Sequence, residues 1–198
     1  MQSNSTDWAD LTLKLQDGLW ADLAGNSWSD VSLARTAEDL LIDPVHAQLA
    51  AVDKTELVLH KLASLDRDAL ASTHADIADD PDASMHDKLL EGLIHRFEVY
   101  QPFKAQIRHL HGASYRDPAL GLKLISRLTS SMDALLMICG DSEPSIQRKM
   151  RVKGLTGVAM SVRTDWLADD TADLAKTTKL LDNRLKQAAE WAESFRLI

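Results

Sequence analysis

Apolar residues recur at every third or fourth position through most of the chain, and this spacing constrains its fold more than any other feature. Trp8, Leu11, Leu15, Leu19 and Leu23 form the first such stripe. A spacing of three and four residues places side chains on one face of an α-helix. With glycine and proline at only 8 and 5 residues, and no alternating strand pattern, we predict an all-α protein.

Helix-capping motifs divide the first part of the chain into four predicted helices. The first covers about 7–24, and Ser29 or Asp30 is expected to cap a second one, which would bury Leu40 or Leu41 among other residues. Asp43-Pro44 predicts a third helix that continues to about residue 51. The capping-box pattern over 53–56 then predicts a fourth helix over 54–72.

The rest of the chain predicts a second group of helices. The acidic segment 76–82 contains a proline and is expected to be a linker, which places the domain boundaries at 1–72 and 84–198. Pro102 should break the helix that follows Ser84. Further helices are predicted from Asp117 to Cys139, over 145–168 and after 170–173, so that the chain has about nine helices.

The negative charge is concentrated in the first third of the chain. The net charge is −8, and residues 1–60 alone hold ten acidic and three basic residues, which leaves −7 there. DNA binding depends on Lys and Arg that neutralise phosphates. An acidic surface repels DNA at long range, so the charge map argues against a strong DNA-binding role.

Several other functions find no support in the residues. Cys139 is the single cysteine, so no internal disulfide forms, and the polar N-terminus does not resemble a signal peptide; we expect a soluble cytoplasmic protein. Motifs for phosphate loops, dinucleotide turns, zinc proteases and nucleophile elbows are absent, so neither an enzyme nor a cofactor is expected. His109 and His111 are two residues apart and do not share a helix face, and we predict no metal site.

The segment from Ala37 to Leu57 carries a family resemblance. It resembles, without a gap, the helix-turn-helix of TetR-family regulators, and the residues on matching positions are Ala37, Ile42, Asp43, Lys54 and Leu57. The resemblance implies a TetR-like fold, with a three-helix helix-turn-helix module (motif at about 29–52) before a helical ligand-binding and dimerisation bundle. Leu41 stands where the family has its turn glycine, and the segment 44–51 lacks Lys and Arg.

The second part is similar to a narrower group, the TetR-like accessory proteins of coenzyme Q (ubiquinone) biosynthesis, which bind lipids. The similarity rests on Ile138-Cys-Gly-Asp141, on Asp169-Asp170, and on Thr178 with Leu181-Asp-Asn-Arg184. One departure concerns the exposed aromatic pair that those relatives use for partner contact. Arg148-Lys149 occupies that position here.

These patterns yield three sets of candidate site residues. Any DNA contacts would involve Arg35, His46, Gln48 and Lys54. An apolar stripe is either an ordinary core or the lining of a ligand pocket between helices; it comprises Leu93, Phe97, Tyr100, Phe103, Ile107, Leu128, Met132, Leu135 and Leu136. The last two helices carry a candidate dimer interface, with packing inside one chain as the alternative; its residues are Gly154, Leu155, Gly157, Val158, Val162, Trp166, Leu174, Leu181 and Leu185.

Two functions follow as hypotheses. One is a TetR-family-like transcriptional regulator, a homodimer with a hydrophobic ligand pocket and weak or lost DNA binding. The other is a non-DNA-binding accessory protein that binds a lipid or isoprenoid. Trp191, Phe195 and Ile198 share a face of the last helix, so contact with a membrane would be peripheral at most.

Overall fold

The computed structural model describes residues 7–51, 53–142, 144–171 and 173–194. Within these ranges the protein contains nine α-helices, one 3-10 turn at Gln101–Phe103 and no strand, which confirms the all-α prediction. The helices are α1 (Trp8–Gly25), α2 (Leu33–Asp39), α3 (Pro44–Ala50), α4 (Lys54–Asp79), α5 (Met85–Tyr100), α6 (Lys104–Ser114), α7 (Pro118–Ile138), α8 (Ile146–Ala168) and α9 (Ala175–Ser194).

The chain forms two compact units whose boundaries differ from the expected 1–72 and 84–198. The first unit combines the described residues up to Ser64 with 103–124, and the second combines 65–102 with the described residues from Ile125 onward. Residues of α6 join the first unit because they bind the C-terminal half of α1. The Gln106 side chain donates to the Trp20 carbonyl at 3.3 Å, and His109 Nδ1 donates to the Leu23 carbonyl at 2.8 Å.

The second helix begins later than the sequence suggests. Ser32, rather than Ser29 or Asp30, caps α2, and its hydroxyl accepts from the Arg35 amide at 3.2 Å. The prediction that Leu40 or Leu41 is buried was wrong, because both side chains are exposed. The cause is the turn after α2, where Leu41 has a φ of 55° that directs its side chain away from the helix it follows.

The fourth helix is longer than predicted and the break at Pro102 is where it was expected. α4 continues to Asp79, so the first half of the segment 76–82 is helix rather than linker. The 3-10 turn at Gln101–Phe103 separates α5 from α6, which confirms the interruption at proline.

A buried carboxylate organises the core of the second unit. Asp66 of α4 is almost completely buried, and it accepts hydrogen bonds from the Tyr100 hydroxyl at 2.9 Å and from Arg96 Nε at 3.0 Å, both on α5. Arg127 Nε of α7 reaches its other oxygen at 3.2 Å. Burial, reinforced by the negative charge of Asp66, raises the pKa of Tyr100, so the phenol stays neutral and donates.

A second carboxylate joins the last two helices. Asp169, at the C-terminal end of α8, accepts from the amide and hydroxyl of Thr171 at 3.1 and 2.6 Å. It also accepts from the amide and hydroxyl of Thr177, in the first turn of α9, at 3.0 and 2.7 Å. These donors, those of Thr171 first, hold the pKa of the Asp169 carboxyl well below its usual range.

The hydropathy of the helices indicates whether any of them could cross a membrane. Among the described residues, no helix combines the length and apolar character needed to cross a bilayer. Of the three residues on the predicted membrane-touching face, Trp191 is exposed, while Phe195 and Ile198 lie outside the described residues.

The Asp169 contacts predict a pH-dependent stability. In Asp169→Asn, one oxygen is replaced by a donor that faces other donors, and we expect a loss of about 2 kcal/mol in the free energy of unfolding at neutral pH. Because the folded-state pKa is lowered, the advantage of the aspartate is complete above the ordinary carboxyl pKa of about 3.9 and disappears as the pH falls through the lower folded value. Urea unfolding of both proteins at several pH values measures this, and a gap that stays constant between pH 7 and pH 3 would contradict it.

Candidate functional site

The turn between α2 and α3, together with α3 itself, presents apolar side chains to solvent in the segment whose sequence resembles a DNA-reading helix-turn-helix. Leu41 is 94% exposed, and Val45 and Leu49 are 65% and 67% exposed. Val45 and Leu49 are four residues apart on α3 and therefore share a face. We call Leu41, Val45 and Leu49 the apolar turn surface. Solvent-exposed leucine and valine at such a position are typical of a contact surface for another apolar group.

Lys54, one of the expected DNA contacts, is used inside the first unit instead. Its Nζ donates to the Trp28 and Val31 carbonyls at 2.5 and 2.8 Å and lies 4.3 Å from the centre of the Trp28 ring. Burial lowers the pKa of Lys54, against the opposing charges of Asp30 and Asp117. The two carbonyls and the aromatic face hold the ammonium group against the first unit and use two of its three hydrogens.

The other expected DNA contacts are exposed but weakly suited to the task. Arg35 Nε lies 3.9 Å from an Asp39 carboxylate oxygen, four residues along the chain. The His46 ring packs edge-on against Trp8, with 5.7 Å between the ring centres. Gln48 is exposed on α3. Of these three side chains, only that of Arg35 carries a permanent positive charge.

Each of the three basic residues in 1–60 has a partner within the protein. The Lys14 ammonium lies 2.7 Å from an Asp10 carboxylate oxygen, Arg35 is beside Asp39, and Lys54 is held by carbonyls. The acidic residues outnumber these bases ten to three. Residues 61–64 and 103–124 add five bases and one acid, so the first unit as a whole has a formal charge of −3, a weaker repulsion for a polyanion than the −7 of residues 1–60.

The residues of the candidate ligand pocket are divided between the two units. In the second unit six of them are buried core residues: Leu93, Phe97, Tyr100, Met132, Leu135 and Leu136. Leu128 is half-buried there. Phe103 and Ile107 belong to the first unit and are also half-buried, with the Phe103 ring packed edge-on against Trp20 at 5.7 Å between ring centres. In the second unit, the apolar stripe therefore forms packed core.

A surface cleft of about 400 Å³ lies in the second unit, and five of its six lining residues are polar or charged. It is formed by α7 and α8, and none of the predicted pocket residues lines it; the lining residues are Thr129, Ser130, Asp133, Lys149, Val152 and Lys153. Arg148, next to Lys149, bonds to the Asp133 side chain and to its carbonyl. Arg148 thus serves the fold, whereas Lys149 faces the cleft.

The apolar residues of the candidate dimer interface are buried within a single chain. These seven side chains are Leu155, Val158, Val162, Trp166, Leu174, Leu181 and Leu185. Trp166 shows how this occurs, because its ring lies 5.2 Å from that of Phe97 and its Nε1 donates to Gln101 at 3.0 Å. Gly154 and Gly157 are exposed. Packing inside one chain, the alternative considered from the sequence, accounts for all seven without a second copy.

The histidines and the cysteine differ in their surroundings. His109 binds a backbone carbonyl of α1, and His111 contacts the Tyr115 ring, so neither is placed as part of a metal site. Burial raises the pKa of the Cys139 thiol to about 11, which keeps it protonated at neutral pH. His95, in contrast, lies beside two carboxylates, those of Asp76 and Glu91. The spacing Glu91–His95, four residues on one helix, was the signal that the sequence interpretation overlooked.

No protein-family model and no curated protein matches the chain. The resemblances to TetR-family regulators and to coenzyme Q accessory proteins therefore stand as expectations carried by the residues quoted for them.

The position of Lys54 predicts that it matters for folding. Lys54→Met keeps the length of the side chain but removes both hydrogen bonds and the cation–π contact, so we expect the free energy of unfolding to fall by about 2 kcal/mol. Lys14→Met, which removes an exposed base paired four residues away, is the matched control and should change it by less than about 0.5 kcal/mol. Equal effects of the two substitutions in urea unfolding would show that Lys54 is not a structural residue.

Proposed function

We propose that the protein is a non-DNA-binding accessory protein whose helix-turn-helix docks onto another protein. This is a form of the second of the two functions that the sequence favours. The observation that supports it is the placement of apolar and basic side chains in the first unit. Leu41, Val45 and Leu49 face solvent, while the Lys54 ammonium group binds backbone carbonyls.

This arrangement is unfavourable for duplex DNA on two counts. Affinity for DNA comes largely from cations that displace counterions from phosphates, and α3 carries no Lys or Arg. Reading of base edges needs polar side chains that reach into the groove, and leucine and valine offer no hydrogen bonds. The acidic residues around α3 add repulsion.

The same surface suits an apolar groove with a basic rim. Full burial of one leucine or valine side chain is worth about 1.5–3 kcal/mol, so the apolar turn surface would supply part of the binding free energy, against an association cost of at least about 4 kcal/mol. Lys and Arg around the groove would complement the acidic first unit and accelerate encounter. A protein partner fits better than an anionic membrane, which the net charge of −7 in residues 1–60 opposes.

The lipid and the homodimer expected from the resemblance belong to the same proposal. A lipid or isoprenoid bound in the second unit would require helices around Phe97 and Met132 to separate, because both side chains are fully packed. A second copy would find the exposed side of α8, where Ile146, Met150 and Gly157 face solvent. Native mass spectrometry of the purified protein registers both a retained lipid and a dimer.

DNA titration tests the proposal directly. We expect fluorescence anisotropy with labelled duplexes, including the region upstream of the protein's own gene, to show no saturable binding stronger than the range of about 10⁻⁴ to 10⁻⁶ M typical of non-specific contacts at physiological salt. Tight binding to one duplex, weakening steeply as salt is raised, would restore the regulator function.

The docking surface is tested by substitution. Leu41→Asp and Leu49→Asp place charges on exposed sites, so we expect both variants to fold and to lose at least about tenfold in affinity for the partner that crosslinking to the wild-type protein identifies in its native cell. Leu122→Asp, at a similarly exposed leucine of the first unit on α7, is the matched control and should bind as the wild type does. Retention of the partner by the Leu41 and Leu49 variants would show that the apolar turn surface is not the docking site.

A further inference from the structure

Three ligand-type side chains converge on one point in the second unit. Asp76 comes from α4, and Glu91 and His95 come from α5. His95 Nε2 lies 3.1 Å from an Asp76 carboxylate oxygen and 3.5 Å from a Glu91 oxygen. The three atoms lie within 4.8 Å of one another. Nothing in the proposed docking function uses this cluster.

The local packing explains why the two helices meet here. Glu91 and His95 are four residues apart, so they share a face of α5. Gly92, between them, faces Thr73 of α4 and Leu135 of α7 so closely that a Cβ at this position would lie 3.2 Å from Thr73 Cγ2 and would overlap the Leu135 side chain. This close approach brings α4 within reach of His95.

The hydrogen bonds of Thr73 determine which ring nitrogen of His95 carries the proton. The Thr73 hydroxyl has one hydrogen, and it donates that hydrogen to the Ala69 carbonyl at 2.9 Å. With that hydrogen used by Ala69, the contact with His95 Nδ1 at 3.1 Å is a hydrogen bond in the tautomer that carries its proton on Nδ1. This assignment follows from the hydrogen-bond network. In the neutral ring, Nε2 then points an unshared electron pair toward the other two side chains.

Three electron-pair donors that face one point repel one another unless a positive charge lies among them. Asp76 and Glu91 contribute carboxylate oxygens, and His95 contributes Nε2. A hydrogen bond from the ring to a second-shell oxygen, as Thr73 accepts here, is the arrangement that orients histidine ligands in metal proteins. The geometry is that of a ligand set with its second shell already formed.

We propose that Asp76, Glu91 and His95 bind a divalent transition-metal ion, with Zn²⁺ as the ion of choice. Zinc bonds of about 2.0–2.1 Å in a tetrahedron place neighbouring ligand atoms about 3.3 Å apart. The two separations from His95 Nε2, 3.1 and 3.5 Å, are close to this value, and the two carboxylate oxygens lie within 4.8 Å of each other. Imidazole favours Zn²⁺ over Mg²⁺ and Ca²⁺, which prefer all-oxygen sites.

The exposure of the three side chains describes the kind of site. His95 is only 14% exposed and forms the inner wall, while the Asp76 and Glu91 side chains are about half exposed. The ion would enter from solvent, and water would complete its coordination. Because its ligands come from two helices, the ion would tie the C-terminal part of α4 to α5. It would stabilise the folded protein by an amount that grows with the logarithm of its concentration over its Kd.

Metal titration of the full-length, tag-free, chelator-treated protein tests the proposal. We expect one Zn²⁺ per chain by calorimetry, a rise in melting temperature with Zn²⁺, and the visible absorption of four-coordinate Co²⁺ when Co²⁺ replaces it. His95→Gln should abolish the Co²⁺ absorption, and Glu91→Gln and Asp76→Asn should each weaken Zn²⁺ binding by at least about tenfold. Thr73→Val, which keeps the shape of the side chain but removes the second-shell acceptor together with the hydrogen bond to the Ala69 carbonyl, should weaken it by about 10–100-fold.

His86→Gln is the matched control. His86 Nε2 also contacts a carboxylate oxygen, that of Asp182 at 2.8 Å, but it has one acidic neighbour rather than two and the Lys186 ammonium is bound to the same carboxylate. This variant should bind Zn²⁺ as the wild type does. Equal losses in His86→Gln and His95→Gln, or no stoichiometric Zn²⁺ in the wild type because a proton on Nε2 already supplies the positive charge, would overturn the proposal. Asp76 and Glu91 are exposed, so their variants fold whatever the outcome at His95.

Discussion

The buried carboxylate of Asp66 is the constraint on which the second unit depends. A buried charge is tolerated only when it is paired and hydrogen-bonded, and here it is satisfied by one tyrosine and two arginines. Since the donors lie on α5 and α7, the requirement sets the register of α4, α5 and α7. The register of α5 in turn places Phe97 against Trp166 and His95 against Asp76. The hydrogen bonds of Asp66 therefore fix both the core packing of this unit and the position of His95.

The first unit holds the turn between α2 and α3 in place with contacts from its own residues. Lys54 binds the carbonyls of Trp28 and Val31, and the same contacts that remove it from the surface hold the segment before α2. These contacts fix the backbone ahead of α2 from inside the unit. The exposed side of α2, α3 and the turn between them carries apolar and acidic side chains.

The parts of the fold that could be predicted are those set by neighbouring residues. The cap at Asp43, the break at Pro102 and the helical class follow from local chemistry, and the structure agrees with them. The late start of α2 and the exposure of Leu41 depend on a turn with positive φ at Leu41. Leucine rarely adopts a positive φ, so its presence in the sequence does not predict such a turn. The Asp66 network joins residues 30 to 61 positions apart, and no pattern along the chain reveals such a pairing. The sequence could have indicated two of the three residues of the proposed metal site, because Glu91 and His95 are four residues apart on one predicted helix. It could not have indicated Asp76, which lay in a segment interpreted as a linker.

Leu41 also bears on the behaviour of the protein in solution. Leu41 combines a backbone φ of 55°, which is costly for an L-residue, with an almost fully exposed apolar side chain. An exposed apolar side chain of this kind favours self-association of the isolated protein. The ten acidic residues of the first sixty oppose this by mutual repulsion between molecules. Salt screens this repulsion beyond about 10 Å at 0.1 M, whereas it does not screen the attraction between apolar side chains, which sulfate and phosphate strengthen. The protein without a partner is therefore expected to stay monodisperse at low salt concentration. At high salt concentration the exposed Leu41 regions of two molecules are expected to associate.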